Sequence, residues 1–183
     1  HIGWRGTFGL FAAICVIGVI WIVRIVPRGL HGTSLSREAW AQVARHPALI
    51  AILLVTVVSA SGQFTTFAYI APFIGFLMGP SPNTLSLALV LFGAAGVIGN
   101  VWATRRIGQH GASSNVAISL ISMCIGMIML AAFGSWLIAF VVGALAWGSG
   151  VFANNSSQQA RLVVASPELS GASIALNTSM IYL

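Results

Sequence analysis

The chain of 183 residues is 58% hydrophobic and only 5% charged. A soluble domain carries about 25% charged residues, so this composition excludes a water-soluble domain and indicates a membrane protein. The formal charge of +6 comes from eight arginines and two glutamates, and the arginines lack the clustered basic face that nucleic-acid binding needs. We therefore expect a lipid bilayer around the chain and no nucleic-acid partner.

Apolar runs of roughly 20 residues are long enough to cross a bilayer as helices. The sequence predicts an all-α membrane protein, a polytopic helix bundle with five full crossings and a truncated sixth. The full crossings are expected over residues 7–26, 48–71, 84–104, 116–133 and 136–153, and the sixth starts near residue 171. The second can run on to Met78. Because the chain starts without Met and ends in an apolar run, we interpret it as a fragment.

The first connector, residues 27–47, is polar and contains three arginines. Ser34 or Ser36 is a candidate N-cap for a short helix, and Pro47 closes the segment. The apolar residues of this helix are Leu35, Trp40 and Val43. We expect a solvated connector that lies on the lipid headgroups.

Arginine alternates between the connectors. The first, third and fifth connectors contain arginine and the second and fourth do not, as the positive-inside rule predicts when the odd connectors are cytoplasmic. Only Arg5 departs from this pattern. The arginines in the odd connectors are Arg28, Arg37, Arg45, Arg105, Arg106 and Arg161.

The predicted crossings contain no acid, base or metal-binding cluster. Both carboxylates, Glu38 and Glu168, and all four histidines lie in connectors or at the terminus, and the chain has neither Asp nor Lys. Cys15 and Cys124 fall in apolar runs, where a thiol behaves as a small hydrophobe. We expect no enzyme, no cofactor and no bound metal.

A polar stripe runs along the second crossing. Thr56, Ser59, Gln63 and Thr66 are spaced by four and three residues, which places them on one helix face. Such a stripe avoids lipid, so it either bonds neighbouring helices or lines a cavity. Gln63 fits a cavity as well as a helix contact, whereas Ser59 and Thr66 favour packing. Pro72 interrupts the backbone hydrogen bonds near the end of this crossing.

Two further helix faces combine small and polar residues, which permits close helix approach. Trp147 is either a cavity wall or an ordinary lipid-facing or packed aromatic residue. Asn100 and Asn154, near cytoplasmic helix ends, serve either as caps or in a gate, and Arg105 and Arg106 either set topology or join that gate. The two faces consist of Gly93, Gly96 and Asn100, and of Gly143, Trp147, Gly150 and Asn154.

Five segments occur in order along the chain: GWRGTF at 3–8, the arginine-bearing residues 27–47, FTTFAYIAPF at 64–73, LVLFGAAGVIGN at 89–100 and the stretch from Gln158 to Ser179. Together they resemble the drug- and sugar-efflux (drug:proton antiporter) branch of the major facilitator superfamily. GWRGTF at 3–8 is similar to the turn before the sixth helix, and residues 27–47 are similar to the link between the two six-helix halves. FTTFAYIAPF at 64–73 resembles the seventh helix, and LVLFGAAGVIGN at 89–100 the eighth. The stretch from Gln158 to Ser179 resembles the approach to the eleventh helix.

The resemblance implies a partial major-facilitator fold covering helices six to eleven of twelve. Residues 1–26 correspond to the last helix of the amino-terminal half, 27–47 to the cytoplasmic linker, and 48–183 to a truncated carboxy-terminal half. It implies alternating access in a bacterial inner (plasma) membrane, with efflux of a small organic solute such as a drug or sugar by proton antiport. The partners are that solute, protons, lipid and the missing amino-terminal half.

The resemblance also assigns site residues. The substrate cavity is expected to use Gln63, Phe64, Phe67 and Tyr69, to which the helix faces add Ser59, Thr66 and Trp147. The cytoplasmic gate is expected at Asn100, Arg105, Arg106 and Asn154. The family's loop motif usually has an Asp beside its Arg, and this chain lacks it, so no charge-paired latch is implied. The alternative function is a membrane scaffold or assembly subunit without a substrate path.

Overall fold

The computed structural model describes residues 3–27, 36–79 and 81–182, and every regular element in these ranges is helical. The prediction of an all-α polytopic fold is confirmed, and five helices are long and apolar enough to cross a membrane. The chain divides into two units, one with α1 and the other with α2–α8. The helices are α1 (Trp4–Ile25), α2 (Arg37–Arg45), α3 (Pro47–Ala68), α4 (Ile70–Met78), α5 (Pro82–His110), α6 (Ala112–Phe133), α7 (Leu137–Ala165) and α8 (Ser170–Ile181).

The first unit consists of α1. This helix begins at Trp4, three residues before the predicted crossing, and the Arg5 guanidinium stacks 4.7 Å from the centre of the Trp4 ring. It ends at Ile25 because Val26 precedes Pro27 and adopts an extended conformation, as residues before proline do. Arg24 in the last turn interacts favourably with the helix dipole.

The second unit begins with α2, the short helix predicted in the first connector. The Ser36 hydroxyl accepts a hydrogen bond of 3.1 Å from the Ala39 amide, which confirms Ser36 as its cap, whereas Ser34 and Leu35 lie outside the described residues. Val43 is fully buried against Leu49 of α3 in a cluster that also includes residues of α7 and α8. One face of this helix is therefore packed against the bundle. The sequence predicted only a solvated connector on the lipid headgroups, without this contact.

The second crossing is divided at Tyr69 into α3 and α4. Pro72 has no N–H to give to the carbonyl four residues earlier, that of Ala68, and its ring crowds the same group. At the same place, the Tyr69 amide bonds the Thr66 carbonyl, three residues earlier, at 3.3 Å. Helix α4 starts at the next residue. Proline thus acts three residues upstream of its own position.

Helix α7 extends well beyond the segment predicted for the fifth crossing. The sequence placed its end at residue 153, but α7 continues to Ala165 and stops just before Pro167. The sequence assigned the polar residues after 153 to the fifth connector, whereas Asn154, Ser157 and Gln158 are buried on one face of the helix. The polar residues belong to the interior of the bundle.

Helix α7 lies at the centre of the second unit, because α5 and α6 both pack mainly against it. A side chain at Gly126 of α6 would come within 2.5 Å of the Trp147 amide nitrogen, so glycine is required there. On α5, Gly96 and Gly99 approach α7, whereas Gly93 has no atom near the position of a Cβ. The close approach therefore uses Gly96 and Gly99, whereas the sequence predicted a face that starts at Gly93.

The ends of four crossings meet at one end of the second unit. A cleft there is lined by the start of α3, the end of α5, the start of α6 and the end of α7, including His110 and Arg161. Gly111, with a φ of +79° that favours glycine, joins α5 to α6 at this end. The arginine-bearing third and fifth connectors therefore lie on the same side of the bundle.

Candidate functional site

A cavity of about 200 Å³ lies between α3, α7 and α8. None of the described residues that line it carries a charge. Such a wall suits a ligand held by hydrogen bonds and apolar contact rather than by an ion pair. Its polar residues are Thr56, Ser59, Gln63, Asn154, Asn155, Gln158 and Tyr182.

The cavity lies near the middle of the crossings. With a rise of 1.5 Å per residue, Ser59 is about 18 Å from the start of α3, and Asn154 is about 16 Å from the end of α7. Those two helix ends lie on the same side of the bundle. A bilayer core is about 30 Å thick, so both residues lie well inside it when these helices cross it.

Hydrogen bonds join the three helices around the cavity. The Thr56 hydroxyl donates to Asn177 Oδ1 of α8 at 2.7 Å, and Asn154 Nδ2 of α7 donates to Ser59 Oγ at 3.3 Å. The Ser59 hydroxyl in turn donates to the Thr56 carbonyl at 3.1 Å. Part of the polar stripe therefore bonds neighbouring helices, while Thr56, Ser59 and Gln63 also line the cavity.

Three amide groups in this network keep an unpaired atom: Asn154 Oδ1, Gln158 Nε2 and Asn177 Nδ2. The three side chains are between 0% and 6% exposed. A buried polar atom without a partner costs about 1–3 kcal/mol, so each of these atoms gains from a water or a ligand group that reaches it. The hydrogen-bonding capacity of the site is thus incompletely used within the chain.

The predicted cavity residues separate into three groups. Ser59, Gln63 and Phe64 line the cavity, and the Phe64 ring lies 6.1 Å from that of Tyr182. Tyr69 is exposed at the junction of α3 and α4.

Phe67 and Trp147 instead pack together with Phe92, at ring-centre distances of 4.7–5.0 Å. Trp147 and Thr66 also line a separate apolar void of about 20 Å³. This void is far smaller than the polar cavity and has room for little more than a single water molecule.

The predicted gate residues do not form one cluster. Asn100 Oδ1 accepts a hydrogen bond from the Ser156 hydroxyl of α7. Arg106 stacks 5.3 Å from the centre of the Trp102 ring on its own helix, and Arg105 is exposed beside it. Asn154 lies at the cavity instead, so the structure groups it with Ser59 rather than with the arginines.

Sequence reasoning did not assign Asn155, Gln158, Asn177 or Tyr182 to the site. The first two fall in residues 154–170, which the sequence assigns to a connector. Asn177 lies on α8 and Tyr182 directly follows its last residue, in the segment that the sequence predicts as an incomplete crossing. The available signal for a buried helix face was that Ser157 and Gln158 follow Asn154 by three and four residues, which places them on one side of a helix.

The chain matches the family model of the Major Facilitator Superfamily over residues 1–183. No solved structure was found to match it. Members of this family are membrane transporters rather than enzymes, and five apolar helices agree with a multi-pass integral membrane protein. The chain belongs to the Major Facilitator Superfamily of membrane transporters.

Proposed function

We propose that the chain is the greater part of the carboxy-terminal half, with the last amino-terminal helix, of a secondary active transporter. In this proposal the complete protein exports a small organic solute, such as a drug or sugar, across a bacterial inner membrane. The solute crosses by alternating access, in which two halves move so that a central site opens to one face at a time.

The observation that carries this proposal is the uncharged polar cavity between α3, α7 and α8. A bundle stabilised only by helix contacts has no need of unpaired amides around an open volume of about 200 Å³ at mid-depth. We assign Ser59, Gln63 and Phe64 to the solute-facing wall and Tyr69 to its outer end. Thr66, Phe67 and Trp147 support that wall from behind.

We further propose that Asn100, Arg105 and Arg106 contribute to the cytoplasmic gate, whereas Asn154 belongs to the cavity. Proton antiport needs a group that exchanges a proton inside the membrane. The sequence has only Glu38 and Glu168 as carboxylates, in α2 and in the short 3₁₀ turn before α8. In our proposal the exchanging group therefore lies in a part of the protein outside this chain.

A cysteine-accessibility scan tests this function against the scaffold alternative. Single cysteines are placed at positions 56–70 of the complete protein, in a background without Cys15 and Cys124, and labelled in membranes with a water-soluble maleimide. We expect the maleimide to label cysteines at positions 59 and 63, and we expect a transported solute to reduce that labelling. Position 58 serves as the control and should stay unlabelled, because Val58 is exposed on the apolar side of α3. Uniformly unlabelled positions 59 and 63 would support a scaffold.

A further inference from the structure

Two amide side chains one turn apart on α7, those of Asn154 and Gln158, are more than nine-tenths buried and line the cavity. Each has one atom without a hydrogen-bond partner, an acceptor on Asn154 and a donor on Gln158. The hydrogen bond that each amide already makes determines which of its atoms remains unpaired.

The orientation of Gln158 is set by Arg161. A guanidinium group can only donate hydrogen bonds, and Arg161 Nη1 donates to Gln158 Oε1 at 3.1 Å. The carbonyl end of the amide therefore faces Arg161, and the Nε2 group remains as the free donor. Arg161 is not among the residues that line the cavity, so its charge positions the amide without forming part of the wall.

The orientation of Asn154 is set by Ser59. The single hydroxyl proton of Ser59 is used on the Thr56 carbonyl, so Ser59 Oγ accepts the next bond rather than donating it. Asn154 must present its Nδ2 group to Ser59, which leaves Oδ1 as the free acceptor. The wall thus offers one free donor and one free acceptor from adjacent turns.

We propose that Asn154 and Gln158 are a recognition pair for an uncharged group that both donates and accepts a hydrogen bond, a carboxamide or a hydroxyl. Small rotations of the two covered amides bring their unpaired atoms to the solute. The apolar body of the solute lies against Phe64 and Tyr182, whose rings flank the same cavity. This inference rests on the proposed transport function, because it assumes that the cavity admits a solute.

The pair discriminates by charge. A carboxylate has no proton for Asn154 Oδ1, and an ammonium has no acceptor for Gln158 Nε2. Neither ion finds an opposite charge among the described lining residues. Burying an unpaired ion is far more costly than burying a satisfied amide. A neutral amide therefore binds better than an acid or amine of the same size.

Three probes of matched size test the pair: benzamide, benzoate and benzylammonium. Their binding to the purified complete protein in detergent micelles is measured by ligand-observed NMR titration. We expect benzamide to bind at least about tenfold more tightly than either ion. Asn154→Leu and Gln158→Leu should each weaken benzamide binding about fivefold, whereas Gln159→Leu, at the next position and outside the cavity lining, should leave it unchanged.

A second variant keeps the test valid if the leucine variants fold poorly. Gln158→Glu keeps the side-chain volume and leaves one oxygen on Arg161, but it replaces the free donor Nε2 with an acceptor oxygen. The preference for benzamide over benzylammonium should therefore fall. Arg161→Met should weaken benzamide binding, because the amide of Gln158 is then free to turn. Equal affinities for the three probes, no benzamide binding, or an unchanged preference in Gln158→Glu would each overturn the proposal.

The two proposals fail separately. If cysteines at 59 and 63 label while the probes show no preference, only the recognition pair is wrong. If those cysteines stay unlabelled and benzamide does not bind, the amides are satisfied by structural water and the transport function fails as well.

Discussion

Replacing Thr56 with valine removes one hydroxyl and preserves the shape of the side chain. That hydroxyl donates to Asn177 Oδ1 at 2.7 Å and links α3 to α8 where both side chains are at most 4% exposed. In Thr56→Val, Asn177 loses the partner of its oxygen, and its Nδ2 atom already has none. An amide with both ends unsatisfied then remains in the interior.

The magnitude follows from the burial of this bond. Leaving a buried acceptor unpaired costs about 1–3 kcal/mol, and side-chain bonds between membrane helices contribute about 0.6 kcal/mol on average and 1.7 at most. We expect Thr56→Val to lower the free energy of unfolding by about 1–2 kcal/mol. In a double-mutant cycle with Asn177→Leu, the coupling should be about 0.6–1.7 kcal/mol.

The assay is equilibrium unfolding of the complete protein in mixed micelles with increasing SDS, followed by tryptophan fluorescence. Thr65→Val is the matched control, because Thr65 is exposed and its hydroxyl bonds only Ser61 of its own helix. We expect the control to change the unfolding free energy by less than about 0.5 kcal/mol. A Thr56–Asn177 coupling below about 0.3 kcal/mol would show that the bond does not hold α3 and α8 together.

Two further predictions concern packing and transport. Gly126→Ala should destabilise the protein by about 1–3 kcal/mol in the same unfolding assay, because its Cβ would lie 2.5 Å from the Trp147 amide nitrogen. Gly93→Ala, with open space around it, should be nearly neutral, and equal losses in the two variants would contradict the packing model. Gln63→Leu and Tyr69→Ala should abolish solute efflux from cells while the protein still reaches the membrane. Normal efflux in both variants would remove these residues from the transport path.

Hydropathy predicted the helices well because lipid imposes one simple demand, a run of about 20 apolar residues. It failed at the end of α7, where the polar residues after 153 predicted a connector rather than more helix. Asn154 and Gln158 are polar because they face other helices and a cavity, and composition alone does not separate these environments. Helical spacing does, but only once the segment is known to be helical.

The part of the site on α3 could be predicted from the sequence, because helical spacing was evident there. Its polar stripe interrupts an otherwise apolar helix, so the period of the stripe stands out. The aromatic residues were ambiguous, because a ring fits a cavity wall and a packed core equally well. Only tertiary structure distinguishes Phe64, beside the cavity, from Phe67 in the Phe92 and Trp147 cluster.

Helix α7 makes two kinds of contact, and this difference indicates where the bundle can move. Towards α6 it packs through glycine, with the Gly126 backbone against Trp147, which leaves no space for sliding. Towards α3 it is held by a side-chain bond, Asn154 to Ser59 at 3.3 Å, which a small rotation can break. We therefore expect α5, α6 and α7 to move as one body during alternating access, while the cavity changes shape at α3 and α8.

Paired cysteines distinguish these two contacts. A cross-link between positions 122 and 146, where the Ser122 hydroxyl bonds the Ala146 carbonyl of α7 at 2.8 Å, should leave transport at the level of the reduced form. A cross-link between Ser59→Cys and Asn154→Cys should block it, with the reduced double variant as the reference. If the α6–α7 cross-link arrests transport and the α3–α7 cross-link does not, the moving boundary lies within the glycine-packed helices, and the cavity wall formed by α3 is the fixed part.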